Sequence, residues 1–241
     1  MICAVIPTYN NASTLAGVVQ RTALYISDII VVVDGSTDNT REVLATIGLA
    51  LTVVDFPVNH GKGHALKAGL EKALQLGFTH VLTIDSDGQH FPEDIPCLLN
   101  VSGMKPDSFV VGNRNIEAEN MPGRNTFANK FSNFWFAVQT GVSLPDTQTG
   151  MRVYPLRHLH GLRLLTARYE AELELLVFAA WAGERIVSVP IRVYYPPEEE
   201  RVSHFRPAYD FARISLLNTI LCIVAIVYGW PRKLLRYVFR S

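Results

Sequence analysis

The sequence contains little of what marks a secreted or zinc-binding protein. Its three cysteines, Cys3, Cys97 and Cys222, are odd in number, widely spaced and set in apolar runs, so they predict neither a disulfide framework nor a zinc site. This usage is typical of a reducing compartment. The N-terminus has no basic region and reaches Pro7 after a short apolar run, so we expect no signal peptide.

The sequence also has no excess of charge of either sign. Lysine and arginine together number 22, and so do aspartate and glutamate, which gives a formal net charge of zero. Because a general nucleic-acid binder carries a basic excess, we expect no nucleic-acid partner. Hydrophobic residues make up 49% of the chain and charged residues 18%, and repeats and low-complexity runs are absent. This composition excludes a disordered chain and predicts a large core.

Short apolar runs alternate with amphipathic stretches over the first part of the chain. Strands are predicted at residues 1–7, 29–34, 51–56, 80–85 and 109–112. Helices are predicted between them at residues 13–26, 40–47 and 64–76. Continuous apolar strands separated by amphipathic helices predict an α/β fold, with a mostly parallel sheet covered on both faces. In such a sheet, ligands bind at the carboxyl ends of the strands.

The pattern changes after Gly112. Residues 113–126 are polar and turn-rich, and they are predicted to form a mobile surface loop. Two further helices and a strand are predicted at residues 129–140, 168–183 and 185–194. Two prolines followed by three glutamates, at residues 196–200, predict a solvated break in the chain.

Two carboxylates follow the fourth predicted strand. Asp85 and Asp87 lie two residues apart, with Gln89 and His90 close behind. Because alternate side chains of a strand point the same way, the two carboxylates can converge on one cation. Oxygen ligands of this kind suit Mg²⁺ or Mn²⁺. The alternative is a solvated turn with a helix cap, since a Pro-Glu-Asp run opens the next helix.

Two other polar segments lie where ligands are expected. Asp34 ends the second strand and can accept hydrogen bonds from a nucleobase or a ribose, although Asp34 and Gly35 also suit a tight turn. Lys62 lies between two glycines before the third helix, and this segment either binds an anion or forms a flexible helix start with a solvated lysine. The polar strand ends lack G-x-G-x-x-G and G-x-x-x-x-G-K-[ST], which argues against dinucleotide and P-loop binding.

A further polar run, residues 146–152, separates two apolar helical regions. It contains the carboxylate of Asp146, several hydroxyl groups and the guanidinium of Arg152, which can bind a phosphate through two parallel hydrogen bonds. The alternative is a polar loop with one structural ion pair.

Five of these segments occur in an order that resembles the family 2 glycosyltransferases of GT-A fold, especially the branch that transfers sugars to dolichyl and polyprenyl phosphates. They are residues 5–10, 34–38, 61–63, 85–90 and 146–152. The resemblance covers roughly residues 1–195. It implies inverting transfer from a nucleotide-activated sugar, with Mg²⁺ or Mn²⁺ held by the D-x-D segment.

Matched residue by residue, the resemblance implies a nucleoside pocket and a metal site. The nucleoside pocket would contain Pro7, Tyr9 and Asp34, with Asn10 as a neighbouring substrate-binding residue. The metal ligands would be Asp85, Asp87 and Gln89, with Asp85 also near the ribose or the diphosphate.

The resemblance also implies cationic residues near the phosphates. Arg114 and Arg124 would lie near the diphosphate or the acceptor, and Arg152 would bind a phosphate. A basic loop that closes over the donor would contain Arg201, Ser203 and His204.

The nature of the acceptor decides whether a base is needed. A lipid phosphate has a second pKa of about 6 and is largely anionic at neutral pH, so it needs none. A hydroxyl acceptor would need a carboxylate, for which Asp146, Glu170 and Glu172 are the candidates. Because Glu170 and Glu172 lie two residues apart on one helix, we expect only one of them to face the site and at least one to be solvated.

The C-terminal segment is apolar and then basic. Residues 214–231 carry no charge and span about 27 Å as a helix, just short of a bilayer core of about 30 Å. A stripe of small or polar residues can pack against another helix or face an interface: Ser215, Asn218, Thr219, Cys222, Ala225 and Gly229. Aromatic and basic residues then suit an anionic lipid surface: Tyr228, Trp230, Arg232, Lys233, Arg236 and Arg240.

These features predict a glycosyltransferase domain at residues 1–205 and a membrane-associating segment at residues 206–241. We expect the segment to lie on, or insert shallowly into, the cytoplasmic face of a membrane, and the alternative is a buried core helix with a cationic tail. The predicted reaction moves a sugar from a nucleotide donor, with UDP favoured over GDP, to a lipid-linked acceptor such as a polyprenyl phosphate. The alternatives are a hydroxyl acceptor on a glycan or another lipid, a non-catalytic sugar-nucleotide or membrane-binding module, and a nucleotidyltransferase.

Overall fold

The computed structural model describes residues 1–114, 123–159, 166–195 and 207–238. Its strands are β1 (Ile2–Thr8), β2 (Ile29–Asp34), β3 (Leu51–Phe56), β4 (His80–Thr83), β5 (Ser108–Arg114), β6 (Arg152–Pro155) and β7 (Arg185–Ile191). Its α-helices are α1 (Ala12–Ala23), α2 (Thr40–Thr46), α3 (Lys62–Gln75), α4 (Ile95–Met104), α5 (Gly123–Thr140), α6 (Glu170–Trp181), α7 (Pro207–Val224) and α8 (Trp230–Val238).

The seven strands form one sheet in the order β3-β2-β1-β4-β6-β5-β7. The neighbouring pairs among β3, β2, β1 and β4 are parallel, β6 runs antiparallel to both β4 and β5, and β7 is parallel to β5. The predicted α/β fold with a mostly parallel sheet is therefore confirmed. The antiparallel strand β6 is four residues long, too short for its hydrophobic pattern to separate it from a loop.

Alternate residues of β1 point to opposite faces of the sheet, and both faces are covered. Ala4 and Ile6 pack in a cluster with residues of α1 and α4, whereas Cys3 and Val5 pack with residues of α3 and α6. Every residue of β2 is buried, because this strand lies inside the sheet between β1 and β3. Burial on both faces explains why the strand is an uninterrupted run of isoleucine and valine before Asp34.

The loop predicted at residues 113–126 is wrong at both of its ends. Strand β5 continues to Arg114, where it still pairs with β7, and α5 already begins at Gly123. The residues between these two elements lie outside the described part of the chain, as does the predicted break at residues 196–200. Polar composition alone does not separate a loop from the start of a helix that carries polar residues on its first turn.

The C-terminal helices continue one another through a π-helical turn at Ala225–Gly229. One side of this unit joins a core cluster with α5 and α6, through Leu217, Leu221 and Ala225. Asn218 accepts a hydrogen bond from the Gln139 side chain of α5, at 3.0 Å. The stripe of small and polar residues therefore packs against other helices through several of its members.

The opposite side of the same unit is apolar and exposed. The exposed side chains are Leu216, Ile220, Ile223, Ile226, Val227, Tyr228, Trp230, Leu234 and Leu235. Residues 212–235 form a helix long and apolar enough to cross a membrane, and its apolar 18-residue window has a mean hydropathy of 1.8, with 28% of the window buried inside the protein. This low burial does not fit the alternative of a core helix.

Close packing of the π-helical turn against α6 depends on Gly229. A Cβ atom at this position would lie 2.4 Å from Nε1 of Trp181, and the indole is held in place by a hydrogen bond to the carbonyl oxygen of Gln139. We expect Gly229→Ala to lower the free energy of unfolding by about 1–3 kcal/mol. Gly17→Ala is the matched control, since Gly17 lies on α1 with open space around it, and this change should stabilise the protein by about 0.5–1 kcal/mol. Urea unfolding followed by circular dichroism measures both, and equal effects would contradict the packing described here.

Candidate active site

A cavity of about 840 Å³ opens at the carboxyl ends of β1, β2 and β4. Pro7 and Thr8 of β1 and Asp34 of β2 contribute to its lining, together with the turn that follows β4. Parallel strands that end side by side bring their terminal residues to one edge of the sheet. This is the edge where the sequence predicts ligand binding.

Asp34 is buried at the end of β2 and holds the loop that precedes α3. Its carboxylate accepts hydrogen bonds from the backbone N–H groups of His60, at 2.9 Å, and Gly61, at 2.7 Å. Gly61 has a φ of 105°, a backbone conformation that residues with side chains rarely adopt. Asp34 therefore fixes the loop while it lines the cavity beside Pro7, where the nucleoside pocket is predicted.

Lys62, the first residue of α3, pairs with two carboxylates from different elements. Its Nζ atom lies 2.8 Å from Oδ1 of Asp85 and 3.0 Å from Oε2 of Glu172. Burial acts to lower the pKa of Lys62, but the charges of Asp85 and Glu172 outweigh it and raise this pKa above its ordinary value. Burial acts to raise the pKa of Asp85, but the surrounding groups, with Lys62 first among them, outweigh it and lower the pKa of that carboxyl. The solvated lysine that the sequence alone permits is therefore wrong.

Asp87 and its neighbours offer a set of oxygen donors. Its Oδ1 atom accepts a hydrogen bond from the N–H of Gln89, at 2.9 Å, which closes the turn after β4. Burial, and then the nearby charge of Asp85, raise the pKa of Asp87 to about 6. Asp85, Asp87 and Gln89 all line the cavity. A divalent cation would relieve the repulsion between the two carboxylates, so this donor set fits Mg²⁺ or Mn²⁺.

The histidines near the cavity form a different kind of group. The rings of His60 and His64 stack with their centroids 4.6 Å apart, and ligand atoms of these two residues and Asp34 lie within 4.8 Å of one another. Both oxygens of Asp34 already accept backbone hydrogen bonds. His90 is buried, which lowers its pKa to about 4 and keeps the ring neutral beside Asp85. The carboxylate pair after β4 therefore remains the better site for a hard divalent cation.

Asp146 lies behind Arg114, outside the lining of the cavity. Arg114 donates to it from Nε at 2.6 Å and from Nη2 at 3.0 Å, and the Asn129 side chain donates a further hydrogen bond at 3.1 Å. Burial acts to raise the pKa of Asp146, but Arg114 outweighs it and the pKa is lowered. The sequence offers Asp146 as a candidate base. The structure corrects this prediction, because the Asp146 carboxylate is buried and holds Arg114 at the cavity wall.

Arg152 does not face the cavity either. It is fully buried and donates hydrogen bonds to the backbone carbonyl groups of Thr149, Thr147 and Glu172. The predicted phosphate-binding role is corrected to a structural one, because this guanidinium holds the polar loop before β6 against the start of α6. The sequence shows the arginine but not the carbonyl groups that the fold brings to it.

Glu170 and Glu172 both line the cavity, and both are buried. The expectation that only one faces the site, and that at least one is solvated, is wrong. Tyr169 and Leu173 line the cavity as well, so the N-terminal end of α6 meets it, rather than one side of the helix. Glu170 is paired with Arg213 of α7, whose Nε donates at 2.8 Å, while Glu172 is paired with Lys62.

The remaining predicted residues divide between the cavity, its surroundings and the part of the chain that is not described. Tyr9 lines the cavity. Asn10 does not line it, and its side chain instead accepts a hydrogen bond from the N–H of Thr37, at 2.8 Å. The substrate-binding role predicted for Asn10 stays a prediction. The Arg124 side chain lies outside the described part, as do Arg201, Ser203 and His204.

Sequence reasoning missed several residues that line the cavity. An apolar wall comes from three different helices, through Phe131 of α5, Leu173 of α6 and Ile214 of α7. Arg168, just before α6, also lines the cavity. In the sequence these residues are ordinary parts of amphipathic or apolar segments, and only the packing of the helices brings them to the site. The glycine at position 63 is the feature of the sequence that hints at Arg168, because a glycine at a helix start can mark close approach of another segment. In the structure, a Cβ atom there would meet the carbonyl oxygen of Arg168 at 2.7 Å.

Solved structures identify the fold class. Glucosyl-3-phosphoglycerate synthase from Mycobacterium tuberculosis, solved in complex with Mn²⁺, UDP and phosphoglyceric acid, superposes with a TM-score of 0.70 at 21% sequence identity. The match covers 93% of this chain and 78% of that one. This likeness confirms the predicted GT-A fold.

Sequence comparison then identifies the family. The profile of Glycosyl transferase family 2 matches residues 3–157, well over half of the chain. The UDP-N-acetylglucosamine–dolichyl-phosphate N-acetylglucosaminyltransferase of Methanococcus voltae is 30% identical, over 81% of this chain and 86% of its own. The polyprenol monophosphomannose synthase of Mycolicibacterium smegmatis is also 30% identical, over 78% of this chain and 75% of its own. The chain belongs to glycosyl transferase family 2 and is a glycosyltransferase.

The buried pair of Arg114 and Asp146 should matter more for stability than an exposed pair of the same type. Arg114→Gln leaves a buried carboxylate without its cation, and we expect it to lower the free energy of unfolding by about 3–5 kcal/mol. Arg21→Gln is the control, since Arg21 makes a similar two-point contact with Glu93 at the surface, and it should cost about 0–1 kcal/mol. Urea unfolding measures both changes. Similar losses for the two variants would show that Asp146 does not depend on Arg114.

Proposed function

We propose that the protein transfers a sugar, with inversion, from a nucleotide sugar to the phosphate of a polyprenyl phosphate. The observation that carries this proposal is the composition of the cavity. Asp85, Asp87 and Gln89 offer oxygen donors at one edge, while Phe131, Leu173 and Ile214 form an apolar wall. A charged donor and an apolar acceptor need these two surfaces within one site. The names of the two relatives, both of which act on lipid phosphates, support the same proposal.

The donor would lie along the edge of the sheet between Asp34 and the carboxylates that follow β4. Asp34, Pro7 and Tyr9 would receive the nucleoside. The presence of UDP in solved structures of the same fold favours UDP over GDP. Asp85, Asp87 and Gln89 would hold Mg²⁺ or Mn²⁺, which when bound acts as a Lewis acid for the diphosphate. Solved structures of the same fold contain Mn²⁺ or Mg²⁺ together with UDP, which supports this assignment.

The ion pairs of the site favour a phosphate acceptor over a hydroxyl acceptor. A phosphate oxygen of the acceptor would attack the anomeric carbon from the face opposite the nucleoside diphosphate, whose bond to that carbon breaks. An anionic phosphate loses no proton in this step. A hydroxyl would lose one, and the candidate bases are only partly open to it, since Glu172 pairs with Lys62 and Oε1 of Glu170 pairs with Arg213, which leaves Oε2 of Glu170 without a partner among the described residues. Glu172 would instead keep Lys62 at the wall of the cavity, and Glu170 would join α6 to α7 through Arg213.

The exposed apolar side of α7 and α8 would lie against a membrane. Ile214 of α7 lines the cavity, and Leu216 begins the exposed apolar side of the same helix, so α7 contributes both to the site and to the proposed membrane surface. Arg232 lies against the exposed Tyr228 and suits the anionic lipid of a cytoplasmic leaflet, whereas the ammonium group of Lys233 donates to the carbonyl oxygen of Thr140. Residues 206–241 are thus proposed to associate peripherally or by shallow insertion, and residues 1–205 to carry the chemistry.

Removal of one metal-binding charge tests the reaction. Labelled UDP- and GDP-sugars are incubated with Mn²⁺ and a lipid extract that contains polyprenyl phosphate, and label in the organic phase is counted. We expect Asp87→Asn to lower turnover by about 10²–10³-fold, and a chelator to abolish it. Asp107→Asn is the control and should retain full activity, because Asp107 is exposed and lies just before β5, at the edge of the sheet opposite the ligand-binding edge. Full activity of Asp87→Asn, or transfer that survives chelation, would overturn the metal assignment. A product that resists mild acid would identify a hydroxyl acceptor.

Two exposed apolar residues test the membrane surface. Ile223 and Val227 are 59% and 73% exposed, so aspartate at both positions should leave the packed side of the helix intact. We expect the double variant to bind anionic vesicles at least about 100-fold more weakly, because each aliphatic side chain contributes about 1.5–3 kcal/mol on burial. Leu24 and Met104 are similarly exposed elsewhere, and aspartate at both serves as the control. Equal vesicle cosedimentation of the two double variants would contradict this surface.

A further inference from the structure

Arg168 lies in a segment whose backbone is fixed on both sides. The carbonyl oxygen of Ala167 accepts a hydrogen bond from the N–H of His64, at 2.9 Å, and that of Arg168 accepts one from Ala171, at 3.1 Å. Thr166 donates from its N–H and its hydroxyl to the Glu174 carboxylate. The Arg168 main chain is thus held between the start of α3 and the first turn of α6.

The Arg168 guanidinium, in contrast, has no hydrogen-bond partner among the described residues. Its Nε atom is buried, and the side chain lines the cavity. A buried N–H group without an acceptor costs about 1–3 kcal/mol, so such a group in a native protein calls for an explanation. A fixed backbone with an unused planar donor group is the arrangement expected of a residue that binds an oxyanion.

The other cations that line the cavity are already paired. Lys62 contacts Asp85 and Glu172, and Arg114 contacts Asp146. Among the described lining residues, Arg168 is the cation that pairs with no carboxylate. It can therefore gain an anionic partner from a ligand without breaking an ion pair between described residues.

The position of Arg168 indicates which part of a bound nucleotide sugar it would contact. A Cβ atom on Gly61 would lie 2.9 Å from Cγ of Arg168, so the arginine lies beside the loop that precedes α3. That loop contacts the carboxyl end of β2, where Gly61 donates to Asp34, and the turn after β4, where Lys62 contacts Asp85. A nucleoside at Asp34 and a cation at Asp85 and Asp87 place a diphosphate between them, next to this loop.

We propose that Arg168 binds phosphate oxygens of the donor's diphosphate through its guanidinium. This inference rests on the proposed function, since it assigns a further residue to the same donor site. The chemistry recognised is that of a phosphate oxyanion, which a donor diphosphate and an acceptor monophosphate share. The closeness of Arg168 to Gly61 assigns it to the donor.

Calorimetric titration of the full chain with ligands that differ in phosphate content tests this assignment. Uridine, UMP, UDP and geranyl phosphate are titrated in Mg²⁺ buffer, with the guanosine series in parallel. We expect Arg168→Gln to weaken UDP binding by about 10- to 100-fold and to leave uridine binding unchanged. Arg168→Lys keeps the charge but not the planar pair of donors, so its loss should be smaller. Arg185→Gln makes the same change at an exposed position outside the cavity and should alter none of the affinities.

The pattern of losses separates the possible failures. Equal losses for uridine and UDP would show a contact with the nucleoside, and a loss confined to geranyl phosphate would assign Arg168 to the acceptor. Either result, or unchanged UDP binding, overturns this inference and leaves the donor chemistry standing. A wild-type protein that binds neither UDP nor GDP would instead overturn the proposed function itself. Thermal unfolding of each variant tests whether it is folded. If Arg168→Gln does not fold, Arg168→Lys still tests the inference.

Discussion

The ion pair of Lys62 with Asp85 and Glu172 is the contact on which the rest of the site depends. It joins the start of α3, the turn after β4 and the first turn of α6, three segments that are far apart in sequence. Removal of a buried charge from such a group leaves its partners uncompensated, which costs about 3–5 kcal/mol. Lys62 therefore compensates both carboxylates, and the two carboxylates together compensate the buried ammonium group.

This ion pair requires close approach of the backbone, which glycine provides. A Cβ atom on Gly63 would lie 2.4 Å from Cβ of Ala171, so α3 and α6 meet only because Gly63 has no side chain. A Cβ atom on Gly150 would lie 2.2 Å from Oδ2 of Asp85, so the loop before β6 approaches the carboxylate in the same way. Two glycines thus bring a helix and a loop within reach of the charged residues, and Arg152 then fixes that loop through backbone carbonyl groups.

The parts of the fold that depend on local pattern could be predicted from the sequence. The bounds of β2 and β3 agree with the prediction, because β2 is a continuous β-branched run that ends in Asp34, and β3 has a β-branched centre and is followed by Pro57. The position of the cavity also follows, since parallel strands bring Asp34 and Asp85 to one edge. The partners of the charged residues could not be predicted. Arg152 and Asp146 have the composition of a phosphate site, but only the packed structure shows that carbonyl groups and Arg114 already satisfy them.

The C-terminal helices are both part of the core and part of the exposed surface. Leu217 and Leu221 pack with Phe136 and Trp181, while Arg213 pairs with Glu170 at the wall of the cavity. Truncation before Arg213 would thus remove core packing and an ion pair of the site together with any membrane contact. Loss of membrane binding after truncation would not identify the membrane surface, because the catalytic domain would also lose stability. Substitutions confined to the exposed side separate the two effects, since that side makes few contacts with the rest of the protein.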